Sequence, residues 1–342
     1  MAQGHWMVLS DGARPTEDIY FLRSVAPWLR ARGMTVRRLD TRRWRSPGWC
    51  WPWLERGLRG AHVLVCRSLG LPWIEMLERS QPELASLYYL IDDDIPAAAN
   101  DPRLPIAYRQ RMGRIAHEQQ PRLLDLADEV VACSQSLAER FVKRHRCVSV
   151  LTPPLIAALP PQSHFEEKGW RLGFHGTRAH LPDIEHIAPA LVSIHDRNPD
   201  LSLEIMLGQH TPAALAALPR VTTPAPLSWH AFRRYQSRRR LHIGIAPLWP
   251  TPFNAGKSHI KFLDIAAMGG VGIYSRRPPY TDIVTDGENG LLAEDSPASW
   301  RFCLQRLLDH PTESRRMAAH AADKARDAGD PAHAQAFWWA RR

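Results

Sequence analysis

The chain lacks the short motifs of several large enzyme classes. It contains no GxSxG, no HExxH, no P-loop and no GxGxxG. Their absence argues against hydrolase, metalloprotease, NTPase and dehydrogenase chemistry. Cysteine is sparse. The five residues (Cys50, Cys66, Cys133, Cys147 and Cys303) are scattered, odd in number and form no CxxC pair. That spacing suggests neither a zinc ribbon nor a disulfide framework, and reduced thiols in the cytoplasm fit it best. No stretch approaches the roughly 18 to 20 apolar residues of a membrane span. The opening MAQGHWMVLSDG has no basic region followed by a long apolar run, so no secretory signal is expected. Low-complexity tracts and repeats of solenoid period are absent.

The 342 residues are enough for two domains, each with its own core. Hydrophobic content of 44% and charged content of 23% are ordinary for a globular protein. The net charge of +9 is unevenly placed. Arg30, Arg32, Arg37, Arg38, Arg42, Arg43, Arg45, Arg56 and Arg59 face only Asp40 and Glu55 in the same stretch. Trp28, Trp44, Trp49, Trp51 and Trp53 interleave with them. Such a segment suits an anionic membrane surface. It also suits nucleic acid, with Arg on phosphates and Trp on bases. A solvated basic face over core tryptophans would give the same pattern.

Short apolar runs bounded by breakers read as strands at 5–10, 34–39, 62–68, 87–95, 128–134 and 148–154. Helical patterns separate them, over 19–32 and about 105–127 among others. A Pro-rich stretch, 156–168, reads as a linker. A second alternation follows, with strands at 170–177, 201–207, 242–248 and 271–275. Its helices lie near 183–197, 213–218, 228–238, 258–268 and 297–309. The expected fold class is α/β: two doubly wound, Rossmann-like domains over 1–155 and 169–325. A helical tail, 326–342, is placed to pack back on the first domain.

The segment 252–294, PFNAGKSHIKFLDIAAMGGVGIYSRRPPYTDIVTDGENGLLAE, carries the most chemistry. Lys257 and Ser258 lie in a loop, and Lys261 and Asp264 follow one turn apart on a helix. Free backbone N–H groups and the helix dipole attract a diphosphate, and each Lys adds a full charge. A carboxylate one turn further in can accept hydrogen bonds from ribose. A second cluster, GFHGTRAH (173–180), follows a strand and opens a helix. Its small residues let backbone approach a phosphate, and Arg178 can bind one bidentately. Asp92, Asp93 and Asp94 end the strand at 87–95. Taken alone, they suit a divalent cation, a helix cap, or a base acting on a hydroxyl. Three adjacent carboxylates also repel, so at least one should titrate high.

This order of parts resembles GT-B glycosyltransferases, in particular the retaining "glycosyl transferases group 1" family. The resemblance covers nearly the whole chain loosely and is specific in 170–183 and 252–294. It implies two domains facing a cleft. The donor set would be Gly176, Thr177, Arg178, His180, Asn254, Lys257, Ser258, Lys261, Asp264 and Tyr280. Trp229 and His230 begin a helix near the expected nucleobase. Many relatives carry two glutamates eight residues apart. Asp264 falls at the later position, which binds ribose, and Gly256 falls at the earlier one, where no carboxylate remains. Asp92, Asp93 and Asp94 would then serve catalysis on the acceptor side. Arg14, Thr16 and Asp18 of DGARPTED would contact acceptor. The implied reaction moves a sugar from a nucleotide diphosphate sugar to a hydroxyl of a glycan or lipid-linked acceptor. Bacterial surface polysaccharide synthesis is the implied setting.

The nucleotide sugar is a co-substrate, and no cofactor or metal is expected. Retention is favoured over inversion. The protein is expected in the cytoplasm, peripheral on the inner face of the membrane, with no nucleic acid as partner. Two other functions fit the same residues: a non-catalytic GT-B-like protein binding nucleotide or glycan, and a nucleic-acid-binding protein using the Arg/Trp segment.

Overall fold

The computed structural model describes residues 4–44 and 46–342, apart from the side chains of 49–52. The chain divides into two compact units. The first comprises Met1–Ile156, Thr251–Ser258 and Asp330–Arg342, and the second Ala157–Pro250 and His259–Gly329. The break therefore falls inside the segment with the strongest sequence signal.

The first unit is built on six parallel strands: β1 (His5–Ser10), β2 (Thr35–Asp40), β3 (Ala61–Cys66), β4 (Ser86–Ile91), β5 (Glu129–Ala132) and β6 (Val148–Val150). Their order is β2-β1-β3-β4-β5-β6. β3 is buried at every position, as a strand covered on both faces must be. The order reverses between β1 and β3, so the crevice beyond their carboxyl ends is where an open α/β sheet binds ligands.

The second sheet holds β7 (Trp170–Phe174), β8 (Leu201–Ile205), β9 (Val221–Thr222), β10 (Ile243–Ala246), β11 (Val271–Ser275) and β12 (Leu291–Ala293). Their order is β12-β11-β10-β7-β8-β9, all parallel, with the reversal between β7 and β10. Leu172, Leu203, Ile243 and Ile273 fill its core with Ile184 and Leu191 of the helix Leu181–Arg197.

Prolines cut the helices shorter than the apolar pattern suggests. The expected helix over 19–32 is a helical turn Arg14–Glu17, a π-turn Asp18–Leu22 and a short helix Ala26–Arg30 with Pro27 in its first turn. A proline offers no N–H, so it is tolerated best at a helix start. The stretch Ile106–Leu126 is helical throughout, with a π-turn at Ile115–Gln119 just ahead of Pro121.

The tail packs in the first unit. The buried Trp338 ring meets Trp6, Phe21 and Tyr88 edge-on at 5.5 Å, and its indole N–H donates to Tyr20 O at 3.0 Å. Arg341 donates to both Glu129 oxygens at 2.7 and 2.6 Å. Of the five tryptophans of the Arg/Trp segment, Trp44 and Trp53 are 41% and 49% exposed. Trp28 is half-buried, with the Arg32 guanidinium 3.7 Å over its ring. Arg45 and the side chains of Trp49 and Trp51 lie outside the described residues.

Candidate functional site

β4 reads SLYYLI and is buried until it reaches Asp92, Asp93 and Asp94. A buried carboxylate needs a cation or donor, because the charge loses its hydration. Each of the three has found its own. Thr16 Oγ1 donates to Asp92 at 2.6 Å, and Arg67 Nε lies 3.2 Å from the same carboxylate. Asp93 pairs with Arg67 and with Lys257. Asp94 accepts from the Ala97 N–H at 2.9 Å, capping the helix Ile95–Asn100, and pairs with Arg140. Burial pushes Asp92 above the usual carboxylate range despite Arg67. Burial opposes the charge on Arg67, but the Asp92 and Asp93 carboxylates raise it above its ordinary value.

Arg67 has a left-handed backbone, φ 64°. A non-glycine residue held there stores strain and marks sites the surroundings over-determine. Here its N–H donates to Leu90 O at 2.9 Å, and its carbonyl accepts from the Tyr89 hydroxyl at 2.7 Å. Sequence reasoning passed over Arg67 and Arg140. The one available signal was a basic residue near the end of the apolar run at 62–68.

Lys257 sits in the piece Thr251–Ser258 that packs in the first unit, with its ammonium 3.9 Å over the Phe253 ring. Gly256 O accepts from Ser134 Oγ at 3.1 Å. A Cβ at Gly256 would lie 3.2 Å from Asp94 Cβ and 3.3 Å from Leu137 Cδ1. Tight packing thus accounts for glycine at this position. Asn254 and Ser258 are buried, the latter beside the Tyr20 hydroxyl. In the DGARPTED loop Arg14 pairs with the buried Asp18 at 2.9 Å, and Thr16 is spent on Asp92.

In the second unit, the loop after β7 lies at the strand-order reversal. Thr177 and Arg178 are exposed there. A Cβ on Gly176 would come within 2.7 Å of the Phe174 ring. His180 pairs with Asp183 at 3.0 Å, and the other Asp183 oxygen accepts from Trp249 N at 2.9 Å. Lys261, in the first turn of the helix Ile260–Ala266, lies 3.4 Å from Asp264. Asp264 also accepts from Gln236 at 2.9 Å. Tyr280 is buried against Tyr274, with ring centroids 4.9 Å apart, and burial pushes its hydroxyl up. Trp229 is half-buried and stacks with Phe232 at 6.3 Å. Lys261 and Arg178 belong to the second unit, whereas Lys257 belongs to the first.

The second unit also holds a polar cluster that sequence reasoning missed. Glu204 of β8 is buried. His175 Nε2 lies 2.7 Å from it, Arg239 3.0 Å, and the Tyr235 hydroxyl donates to it. Among the described residues, no group of three His, Cys, Asp or Glu is arranged to hold a metal ion.

Comparison with known structures shows that this architecture is the GT-B fold. Sucrose-phosphate synthase from Thermosynechococcus elongatus superposes with a TM-score of 0.68 at 13% identity, over 99% of this chain and 98% of that one. A glycosyltransferase from Rickettsia africae gives 0.65 at 10% identity, over 100% and 98%. Anabaena HepE, solved in complex with UDP-glucose, gives 0.61 at 13% identity, over 98% of both chains. At these identities the likeness is one of fold: two six-stranded Rossmann-like sheets of the GT-B type. No protein-family model matches the chain, and no curated protein sequence matches it.

The Glu204 cluster gives a pH prediction. Burial alone would raise Glu204, but His175, Tyr235 and Arg239 together hold it below its ordinary 4.5. A depressed carboxylate contributes stability above its unfolded value and loses it as pH falls through its folded value. Glu204→Gln should therefore lower stability at neutral pH, and the gap to the native protein should narrow below about pH 4.5. Urea denaturation between neutral pH and pH 3 measures it. A gap that stays constant with pH would remove the ionic role of the cluster.

Proposed function

We propose that this protein is a glycosyltransferase that moves a sugar from a nucleotide diphosphate sugar to a hydroxyl of a glycan or lipid-linked acceptor. The observation that carries the reading is the GT-B fold over nearly the full chain. Neighbours spanning it end to end include a synthase and a protein solved with UDP-glucose. The placement of cations supports it: Arg178 and Lys261 lie on strand-to-helix turns of the second sheet, where a diphosphate would be held. Asp264, one turn beyond Lys261, is the ribose ligand on this reading. The first unit binds the acceptor, with Asp92 as its acidic group.

In the reaction, the acceptor oxygen bonds to the anomeric carbon while the bond from that carbon to the phosphate oxygen breaks. The nucleoside diphosphate leaves with the electron pair, and cations stabilise the charge it gains. Gly256 supplies no carboxylate on the donor side. The segment 252–294 resembles that of retaining enzymes, so we favour retention, in which the departing phosphate takes the acceptor proton. On this reading no metal is required, and the natural setting is bacterial surface polysaccharide synthesis in the cytoplasm.

A panel of nucleotide sugars tests the donor reading by thermal shift. One nucleotide class should stabilise the protein, and Lys261→Ala should weaken its binding about tenfold or more with the fold intact, because a charge-assisted contact is worth roughly 1.5 to 3 kcal/mol. A variant that binds as tightly as the native protein would remove Lys261 from the site.

We also propose that the exposed Trp44 and Trp53, set among arginines, rest on an anionic membrane surface. Co-sedimentation with phosphatidylglycerol vesicles should exceed that with phosphatidylcholine vesicles and weaken at high salt. Equal partitioning onto both would remove the electrostatic argument. Salt-sensitive binding of an oligonucleotide instead would favour a nucleic-acid partner.

A further inference from the structure

The first unit contains a cavity of ≈ 320 Å³ at the carboxyl ends of β1 and β3. This is the point where the strand order reverses, so its position in the sheet is that of a ligand site. Its volume lies at the small end of the ligand-pocket range and suits one sugar residue. Asp11, Arg67, Arg111, Met112, Arg114 and Gln119 are among the residues lining it.

Four features of this wall are unusual together. Arg67 holds its left-handed backbone there. Gln119 lies on the π-turn Ile115–Gln119, a conformation frequent at functional sites. Its amide oxygen is buried and has no hydrogen-bond partner among the described residues. An unpaired buried acceptor is costly, and a bound hydroxyl would relieve it. Asp11 accepts from Ser68 Oγ at 3.1 Å, and burial holds its carboxyl above the usual range.

The cations complete the pattern. Most arginines around this site are committed: Arg67 to Asp92 and Asp93, Arg140 to Asp94, Arg38 to Glu17, and Arg103 to Asp101. Arg111 and Arg114 are different. Both line the cavity, and neither makes an ion pair with a carboxylate among the described residues. Glu118 lies one turn beyond Arg114 and lines the same wall, yet the two form no ion pair. Arg111 also lies 5.5 Å over the Tyr108 ring and attracts the Asp11 carboxylate. Two guanidinium groups without a salt-bridged carboxylate, beside an apolar and hydroxyl-accepting wall, fit a carboxylate or phosphate carried on a sugar.

We infer that this cavity is the acceptor subsite and that it selects an anionic sugar, with Arg111 and Arg114 as the contacts for its carboxylate or phosphate. Asp11 and Gln119 accept hydrogen bonds from the sugar hydroxyls. The inference rests on the transferase reading for the word acceptor, but the binding itself does not need turnover.

The test is calorimetric titration of the full chain, without nucleotide sugar, with D-glucose, D-glucuronate and glucose 6-phosphate. At least one anionic sugar should bind about tenfold or more tightly than glucose, and the tighter of the two identifies the anion. Arg111→Gln/Arg114→Gln should abolish that preference. Both residues are exposed, so the variant should keep the native circular dichroism and Tm. Lys261→Ala should keep the preference, since it alters only the second unit. Loss of the preference in Lys261→Ala but not in the double variant would place the anion on the phosphate loops and overturn the inference. Equal binding of all three sugars, or no saturable binding by either anion, would also overturn it. Anion binding that depends on Arg111 and Arg114, with no sugar transfer from any nucleotide sugar, would leave the site standing and sink the transferase reading.

Discussion

Charge neutralisation at the end of β4 is the constraint that organises the first unit. Three adjacent carboxylates emerge from a buried strand into a crevice with limited water. Removing one partner of such a pair costs about 3–5 kcal/mol when both groups are fully buried, and less where solvent reaches them. The protein meets this by recruiting partners from far along the chain. Arg67 comes from the end of the neighbouring strand, Arg140 from the helix after β5, and Lys257 from a piece between two parts of the second unit. The strained backbone of Arg67 is one consequence, since its carbonyl and N–H are both held while its side chain bridges Asp92 and Asp93. The packed glycine at 256 is another. It lets the main chain approach Asp94 closely enough for Lys257 to reach Asp93.

The second unit solves a different problem. Its reversal point presents Arg178, exposed on the turn after β7, and Lys261 is half-buried at a helix start beside Asp264. One of its buried acids, Glu204, is satisfied internally by His175, Tyr235 and Arg239. The aspartates at the end of β4 are thus paired within the first unit, while Arg178 of the second makes no ion pair among the described residues.

Much of the fold was legible because the strands are apolar runs bounded by breakers. Val271–Ser275 falls where the pattern puts it, and the helix Pro297–Asp309 likewise. β9 and β12 were not legible. They are two and three residues long, too short for any periodicity, and exist because a neighbouring strand offers hydrogen bonds. The site was legible in part. A run of three aspartates announces itself, and the cap at Asp94 follows from the proline and small residues after it. What Asp92 and Asp93 hold could not be read, because Thr16, Arg67 and Lys257 approach from sequence separations that no local pattern encodes. The same holds for Thr251–Ser258. Its lysine reads as continuous with Lys261 along the chain, yet the two belong to different units.

Sugar transfer itself is the claim on which the rest hangs. The direct measurement is NMR of the full chain incubated with a stabilising nucleotide sugar and an acceptor panel that includes neutral and anionic sugars. The account predicts release of one nucleoside diphosphate per new glycosidic linkage, with the anomeric configuration of the donor kept in the first-formed product. Nucleotide that binds but is never released, with no new anomeric signal for any acceptor, would contradict the account and leave a binding protein on a transferase fold.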